Sequence, residues 1–337
     1  MKKTILAAYI ALFITFLPPL LGAQGQRAPE ATPRAEETEA VKAAPGAASA
    51  APQPVKAASG ESAPEKIRLL VGTETVETDM QEYLVGVVAA EMPASFRPEA
   101  LKAQAVAART YAMYCAAGDK HGDADVCTDF ACCQAWLDES ALRENWGADY
   151  DAYYEKISSA VAETRGEYLS YDGAPVFAAF HSSSAGSTED CSAVWNARPY
   201  LISVDSPETA ADVPDYVSRL ECAPLDFRDT VLSACPQADF SGDESGWIGA
   251  LTLDGSGRVA TAALGGAEIK GTELRSLFSL RSTAFTLEYT GGRFVFTVTG
   301  NGHGVGMSQY GAEVMAGDGA DYTLILAHYY PGTALVR

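Results

Sequence analysis

The sequence predicts an α+β domain, and three observations point there. Apolar and β-branched runs pair across glycine-containing turns as hairpins, not as alternating βαβ units. Stretches of helical length near the start of the folded region are bounded by prolines and a glycine. The chain has 337 residues and is 47% hydrophobic, enough for a real core.

The elements follow in order. Lys66–Gly72 reads as an opening strand, and Met80–Met92 as a helix stopped by Pro93. Pro98 and Glu99 suit the first turn of a second helix running to about Ala117. Its segment KAQAVAARTYA is dense in alanine, so it can pack very close to a neighbour. Asp151–Thr164 reads as a third helix, closed by Gly166. Glu167–Tyr171 and Val176–Phe180 flank Asp172-Gly173, a hairpin signal. Ile248–Leu253 pairs with Val259–Leu264 around Asp254-Gly255, and Phe285–Tyr289 with Phe294–Val298 around Gly291-Gly292. Lys270–Leu280 and Met307–Met315 read as helices.

Before this domain the chain has another character. Lys2 and Lys3 precede an apolar run from Thr4 to Leu21, so residues 1–23 read as a membrane anchor or a signal peptide. The run is just long enough to span. Leu21 makes a poor cleavage site at Ala23, which favours a single-pass anchor over secretion. Residues 24–65, rich in Ala, Pro, Glu, Lys and Gln, read as a disordered linker, leaving 66–337 as the folded domain outside the cytoplasm. The net charge is −20; residues 1–66 carry seven Lys/Arg against six Glu, so the remainder holds −21. That balance excludes a nucleic-acid binder, which needs a basic footprint.

Five constellations could carry chemistry. Glu91, in GVVAAEMP, ends an apolar helix; a carboxyl in such surroundings has the raised pKa of a general acid, although a helix-end glutamate in solvent has the same spacing. Lys102 and Arg109, seven apart, share one helix face and could hold a carboxylate or polarise a sugar substituent, or simply be solvated. His121, Cys127, Cys132 and Cys133 gather four soft ligands in loop-like sequence, as zinc or disulfides would use. HSSSAGSTED, from His181 through Ser182 and Ser183, can line a carbohydrate groove or cap a helix. GNGHGVGMSQYGA places glycines around His303, ahead of Gln309 and Tyr310; it lacks the lysine of a phosphate loop, so a neutral sugar fits better.

GVVAAEMP, LKAQAVAARTYA, HSSSAG and GHGVGMSQYGA, in that order over 67–337, resemble the stage II sporulation protein D family, which includes amidase-enhancer domains. The resemblance implies a peptidoglycan lytic transglycosylase acting in the engulfment step of endospore formation. Such an enzyme cuts between N-acetylmuramic acid and N-acetylglucosamine and leaves 1,6-anhydro ends. It implies Glu91 as the catalytic residue and Lys102, Arg109, His181, Ser182, Ser183, His303, Gln309 and Tyr310 as substrate contacts. It also implies structural zinc on His121, Cys127, Cys132 and Cys133, with Cys132 standing where the family has a histidine. Ala185 departs from a common family glycine. The implied partners are glycan strands, a cell-wall amidase and other engulfment membrane proteins. Two other classes compete: a non-catalytic glycan-binding enhancer of an amidase, and a hydrolase pairing Cys133 with His181 or His303. Cys115, Cys191, Cys222 and Cys235 have no assigned pairing.

Overall fold

The structure, a computed structural model, describes residues 56–58, 63–118 and 120–337. The N-terminal apolar run lies outside these; among the described residues no helix is long and apolar enough to cross a membrane. Strand β1 (Lys56–Ala58) precedes a hairpin of β2 (Lys66–Val71) and β3 (Glu74–Asp79). The Asp79 carboxylate accepts from the Gln81 and Glu82 amides and so caps α1 (Met80–Glu91). Tyr83 to Val88 of α1 are all buried, as in a helix surrounded by protein. Pro98 occupies the first turn of α2 (Pro98–Ala116).

The chain continues through β4 (Val126–Cys127), α3 (Glu139–Trp146), α4 (Tyr150–Glu163), β5 (Tyr168–Tyr171), β6 (Ala174–Pro175), β7 (Phe180–His181) and the short α5 (Cys191–Val194). A second lobe then comprises β8 (Val217–Cys222), α6 (Pro224–Ala234), β9 (Ile248–Leu253), β10 (Val259–Leu264), β11 (Ala267–Lys270), α7 (Gly271–Leu277), β12 (Phe285–Thr290) and β13 (Arg293–Thr299). The chain closes with β14 (Met307–Ser308), α8 (Gln309–Gly317), α9 (Tyr322–Tyr329) and β15 (Ala334–Val336).

The α+β class holds, with small sheets in the orders β1-β15-β5-β6, β3-β2-β4, β11-β10-β9, β12-β13-β8 and β14-β7. One core gathers on α1 and α2; the buried alanines 100, 103, 105, 107, 108 and 112 let α2 lie against α1, α4, α8 and α9. The second lobe has its own core, where Phe227 stacks on Phe294 at 4.0 Å and Trp247 covers the other side of Phe294. Its ends are adjacent: Val217 registers with Thr299, and Gly300 N–H donates to Tyr216 O at 2.8 Å. Beyond that junction, Ser183 and Asn301 exchange backbone hydrogen bonds, and β7 runs parallel to β14 with His181 beside Ser308.

Three expectations need correction. Residues 56–58, read as linker, form a strand parallel to β15. Val176–Phe180 is not the second arm of a hairpin. The turn forms, with Asp172 and Gly173 at φ 51° and 81°, but the ladder with β5 covers Ala174–Pro175 and ends where Val176 N–H donates to Leu169 O. Val176, Ala178 and Ala179 then pass through the first core, where Ala179 O accepts from Met307 N–H and the Tyr330 hydroxyl. Lys270 ends β11 instead of opening a helix; α7 starts at Gly271, where a Cβ would lie 1.8 Å from Val259 O.

Candidate active site and metal-binding loop

Glu91 is the last residue of α1, and Met92–Pro93 turn the chain away from it. The side chain is half-buried. Its Oε1 accepts from Ala135 N–H at 2.8 Å. Desolvation raises its pKa, while the Ala135 amide and the side chain of Gln309 pull it back. No other charged group figures among these causes. Gln309, buried at the start of α8, faces this carboxyl, yet its Nε2 has no partner of good hydrogen-bonding geometry. The contact is therefore loose and free to tighten. Around it α8 is pinned to the turn after α1: Phe96 and Tyr310 meet edge-on at 5.0 Å, and Arg97 pairs with Glu313.

The amide that holds Glu91 comes from the cysteine loop. β4 pairs in parallel with β2, Cys127 registering with Leu70, and Arg68 grips Asp125 through its backbone N–H and its guanidinium. Asp129 O then accepts from both Cys132 and Cys133 N–H, a turn that presents adjacent thiols together. One ligand atom each from His121, Cys127, Cys132 and Cys133 lies within 4.8 Å of the others, with His121 Nε2 at 3.1 Å from Cys133 Sγ. Burial pushes the Cys127 thiol up to about 12. A tetrahedral zinc would hold these atoms roughly 3.5–3.8 Å apart, so three thiolates and an imidazole fit with small shifts, the widest pairs closing and His121 Nε2–Cys133 Sγ opening. Immediately downstream, Gln134 Nε2 donates to Tyr83 Oη, and Trp136–Leu137 press on α1 at Gly86. Cys133 is thus two residues from the amide bound to Glu91.

The cationic face expected on α2 does not form. Lys102 Nζ is claimed by Glu99 and Glu163, at 2.5 and 3.0 Å. Arg109 is fully buried, donates from Nη1 to Glu167 O at 2.9 Å, and leaves Nε and Nη2 unpartnered. Desolvation lowers it to about 10. Both tie α2 to the far end of α4 and the segment after it; neither is presented to a ligand.

The histidines are also committed. His181 is buried, with Nε2 at 2.7 Å from Ser184 Oγ and Nδ1 at 3.2 Å from Val305 O. Burial, then the positive groups near it, hold its pKa well below the usual range. His303 Nδ1 accepts from Val305 N–H at 3.1 Å, and desolvation lowers this ring to about 4. Cys133 sits instead against His121, so no Cys–His nucleophile pair forms with either ring. Ser182 O accepts from Tyr310 N–H, and Ser183 Oγ is buried without a partner. The motifs from His181 and His303 are therefore a packed frame beside Glu91.

Sequence reading missed the residue that fixes this frame. Glu208 is buried and accepts from Ser184 N–H, Ser206 Oγ–H and Ser308 Oγ–H at 2.5–2.6 Å. A Cβ on Gly311 would lie 2.7 Å from its Oε2, which explains the glycine in SQYGA. An isolated SPE in a loop gives no pattern that marks Glu208. Glu189, buried over Arg258 at 3.7 Å, was also unremarked; desolvation lifts it to about 7.

The model of the family described as "Stage II sporulation protein" matches residues 72–171. Stage II sporulation protein D of Bacillus amyloliquefaciens is 39% identical over 258 residues, covering 75% of this chain and 73% of that protein. The protein of the same name from Bacillus subtilis is 38% identical over 76% of this chain and 74% of its own length. An "Amidase enhancer" of Bacillus subtilis is 28% identical over 75% of this chain and 40% of that protein.

Proposed function

The chain belongs to the stage II sporulation protein D family, and from that premise we propose that it is a lytic transglycosylase acting on the glycan strands of peptidoglycan during sporulation. One observation carries the reading: Glu91 is a lone carboxyl with a raised pKa, restrained by one backbone amide and one loosely placed amide side chain. A glycosidase that uses water needs two carboxyl groups flanking the bond. A single carboxyl suffices when the sugar supplies the nucleophile.

The steps balance without water. Protonated Glu91 gives its proton to the glycosidic oxygen as the C1–O bond breaks. The departing N-acetylglucosamine keeps that proton as its 4-hydroxyl. The 6-hydroxyl of the muramoyl residue attacks C1, and the Glu91 carboxylate takes the proton it releases. The product end is a 1,6-anhydro ring, and Glu91 is again protonated. Ala135 N–H and Gln309 orient the carboxyl and stabilise it while it is ionised.

His121, Cys127, Cys132 and Cys133 would hold a zinc ion in this reading. With all four ligands from protein it would supply folding energy for the loop that carries Ala135, not an activated water. The N-terminal apolar run anchors the domain outside the cytoplasm, where glycan strands and a cell-wall amidase are within reach.

The deciding experiment incubates the purified protein with denuded glycan strands and looks for anhydro-muramic ends. Their appearance, lost in Glu91→Gln, is the expected result. Binding without cleavage, with stimulation of an added amidase, would replace catalysis by the enhancer role.

A further inference from the structure

An aromatic strip with one exposed ring, that of Trp195, has no part in the chemistry above. Trp195, just past α5, is 44% exposed. Its ring lies 4.8 Å from His303 and meets Phe177 edge-on at 5.3 Å. Phe177 continues to Tyr114 and Tyr111, at 5.3 and 5.5 Å. Arg198 covers Phe177 and Tyr114 and donates to the Tyr114 hydroxyl at 2.7 Å.

Where the strip is most open to solvent it presents the uncharged indole of Trp195. His303 stays neutral above about pH 4, and its Nδ1 is held by Val305 N–H. Trp195 is braced on both edges. Rings fixed in this way lose little freedom on binding. Each end of the strip adjoins a segment that carries a neighbour of Glu91. At His303 it joins the glycine-rich motif that leads to Gln309. At Tyr111 it borders Cys115 of α2 and Cys133 of the loop that carries Ala135.

Its occupant follows from that continuity. A pyranose presents apolar C–H faces ringed by hydroxyls, which suits a flat indole with a polar edge. A polymer seated at Glu91 extends along whatever surface adjoins it. The cavity of about 200 Å³ between Glu189, Asp254 and Lys270 is a pocket, whereas a strand needs an open path.

We propose that Trp195, backed by His303 and Phe177, is a sugar-stacking subsite that holds a pyranose ring of the glycan strand away from the scissile bond. This rests on the glycan reading of the Glu91 site. The test measures binding of N-acetylglucosamine disaccharide and hexasaccharide to the full-length protein by calorimetry, for wild type, Trp195→Ala and Trp195→Phe, with cleavage of denuded strands assayed in parallel. Trp195→Ala should weaken the hexasaccharide about tenfold, leave the disaccharide and the melting temperature unchanged, and be largely rescued by Trp195→Phe. Wild-type hexasaccharide affinity in Trp195→Ala, with strand cleavage intact, overturns the subsite alone. A wild-type protein that neither binds the oligosaccharides nor cleaves strands overturns the glycan reading and the subsite with it.

Discussion

Gly86→Ala tests how the cysteine loop serves Glu91. An ideal Cβ at this position lies 2.4 Å from Trp136 Nε1 and 2.6 Å from Leu137 O. The second contact is backbone, so no rotamer change relieves it and the loop has to move. Overpacking of this kind costs about 1–3 kcal/mol, partly offset by the ~1 kcal/mol that alanine adds to a helix over glycine. A net loss of up to about 2 kcal/mol corresponds to a melting temperature lower by up to roughly 8 °C in a domain of this size. The effect on the site is more specific. Ala135 precedes Leu137 by two residues, and its amide holds the Glu91 carboxyl down. As the loop recedes, that restraint weakens and the carboxyl rises further. The alkaline limb of the pH–rate profile, where Glu91 loses its proton, should then move to higher pH while the maximal rate falls. Thermal melts and a pH profile of anhydro-end formation read both effects. A variant with wild-type melting, rate and alkaline limb would show that the loop does not position Glu91.

Glu91→Gln should lower cleavage by about 100-fold or more. Because the folded-state pKa of Glu91 is raised, its ionised form costs stability above that pKa. Glu91→Gln should therefore melt above wild type at neutral pH, with the gap closing as pH falls through the raised pKa; a constant gap contradicts the desolvation argument. Cys127→Ser should release zinc, lower the melting temperature and reduce activity only through the loop, as read by elemental analysis beside a thiol count. No metal and two fewer free thiols in the wild type would mean a disulfide instead. Lys102→Met and Arg109→Met should leave affinity for denuded and peptide-bearing strands equal to wild type, since neither cation is presented to a ligand. Arg109→Met should also be close to neutral in stability, because a buried guanidinium with two unpartnered nitrogens is replaced by an apolar chain of similar length. Loss of binding to denuded strands alone would restore the carboxylate-pairing role.

Much of the frame could be read from local signals. Pro93 and Pro98 bracket α1 and α2 because proline chemistry is local, and Asp172-Gly173 forms its turn because both residues accept positive φ. Glu91 could be singled out because a carboxyl at the end of an apolar helix is unusual, and the four soft ligands because they crowd one loop. What escaped depends on distant partners. Lys102 and Arg109 share a face as their spacing requires, but that face meets Glu163 and Glu167. Glu208 matters only because Ser184 and Ser308 converge on it from far along the chain. β8 and β15 were missed because each is completed by a partner strand far away in sequence, with no hairpin turn to mark it.

The adjacent ends of the second lobe impose a sequence of events on folding. His181 and Ser308 lie side by side across 127 positions of chain. Their ladder returns nothing until that loop has closed, and contacts so far apart in sequence form slowly. The lobe between them is built largely of hairpins and short helices, whose contacts are mostly local. Once Val217 has found Thr299, the effective loop shrinks to the stretches on either side of that junction. The lobe then works as an internal clasp: its own collapse brings the HSSSAG and GHGVGMSQYG segments to each other, and the carboxylate of Glu208 locks them afterwards. Refolding of the Glu91 site is accordingly expected to wait on a core that contains none of its residues, and Phe227→Ala should slow recovery of cleavage more than it lowers the activity finally regained.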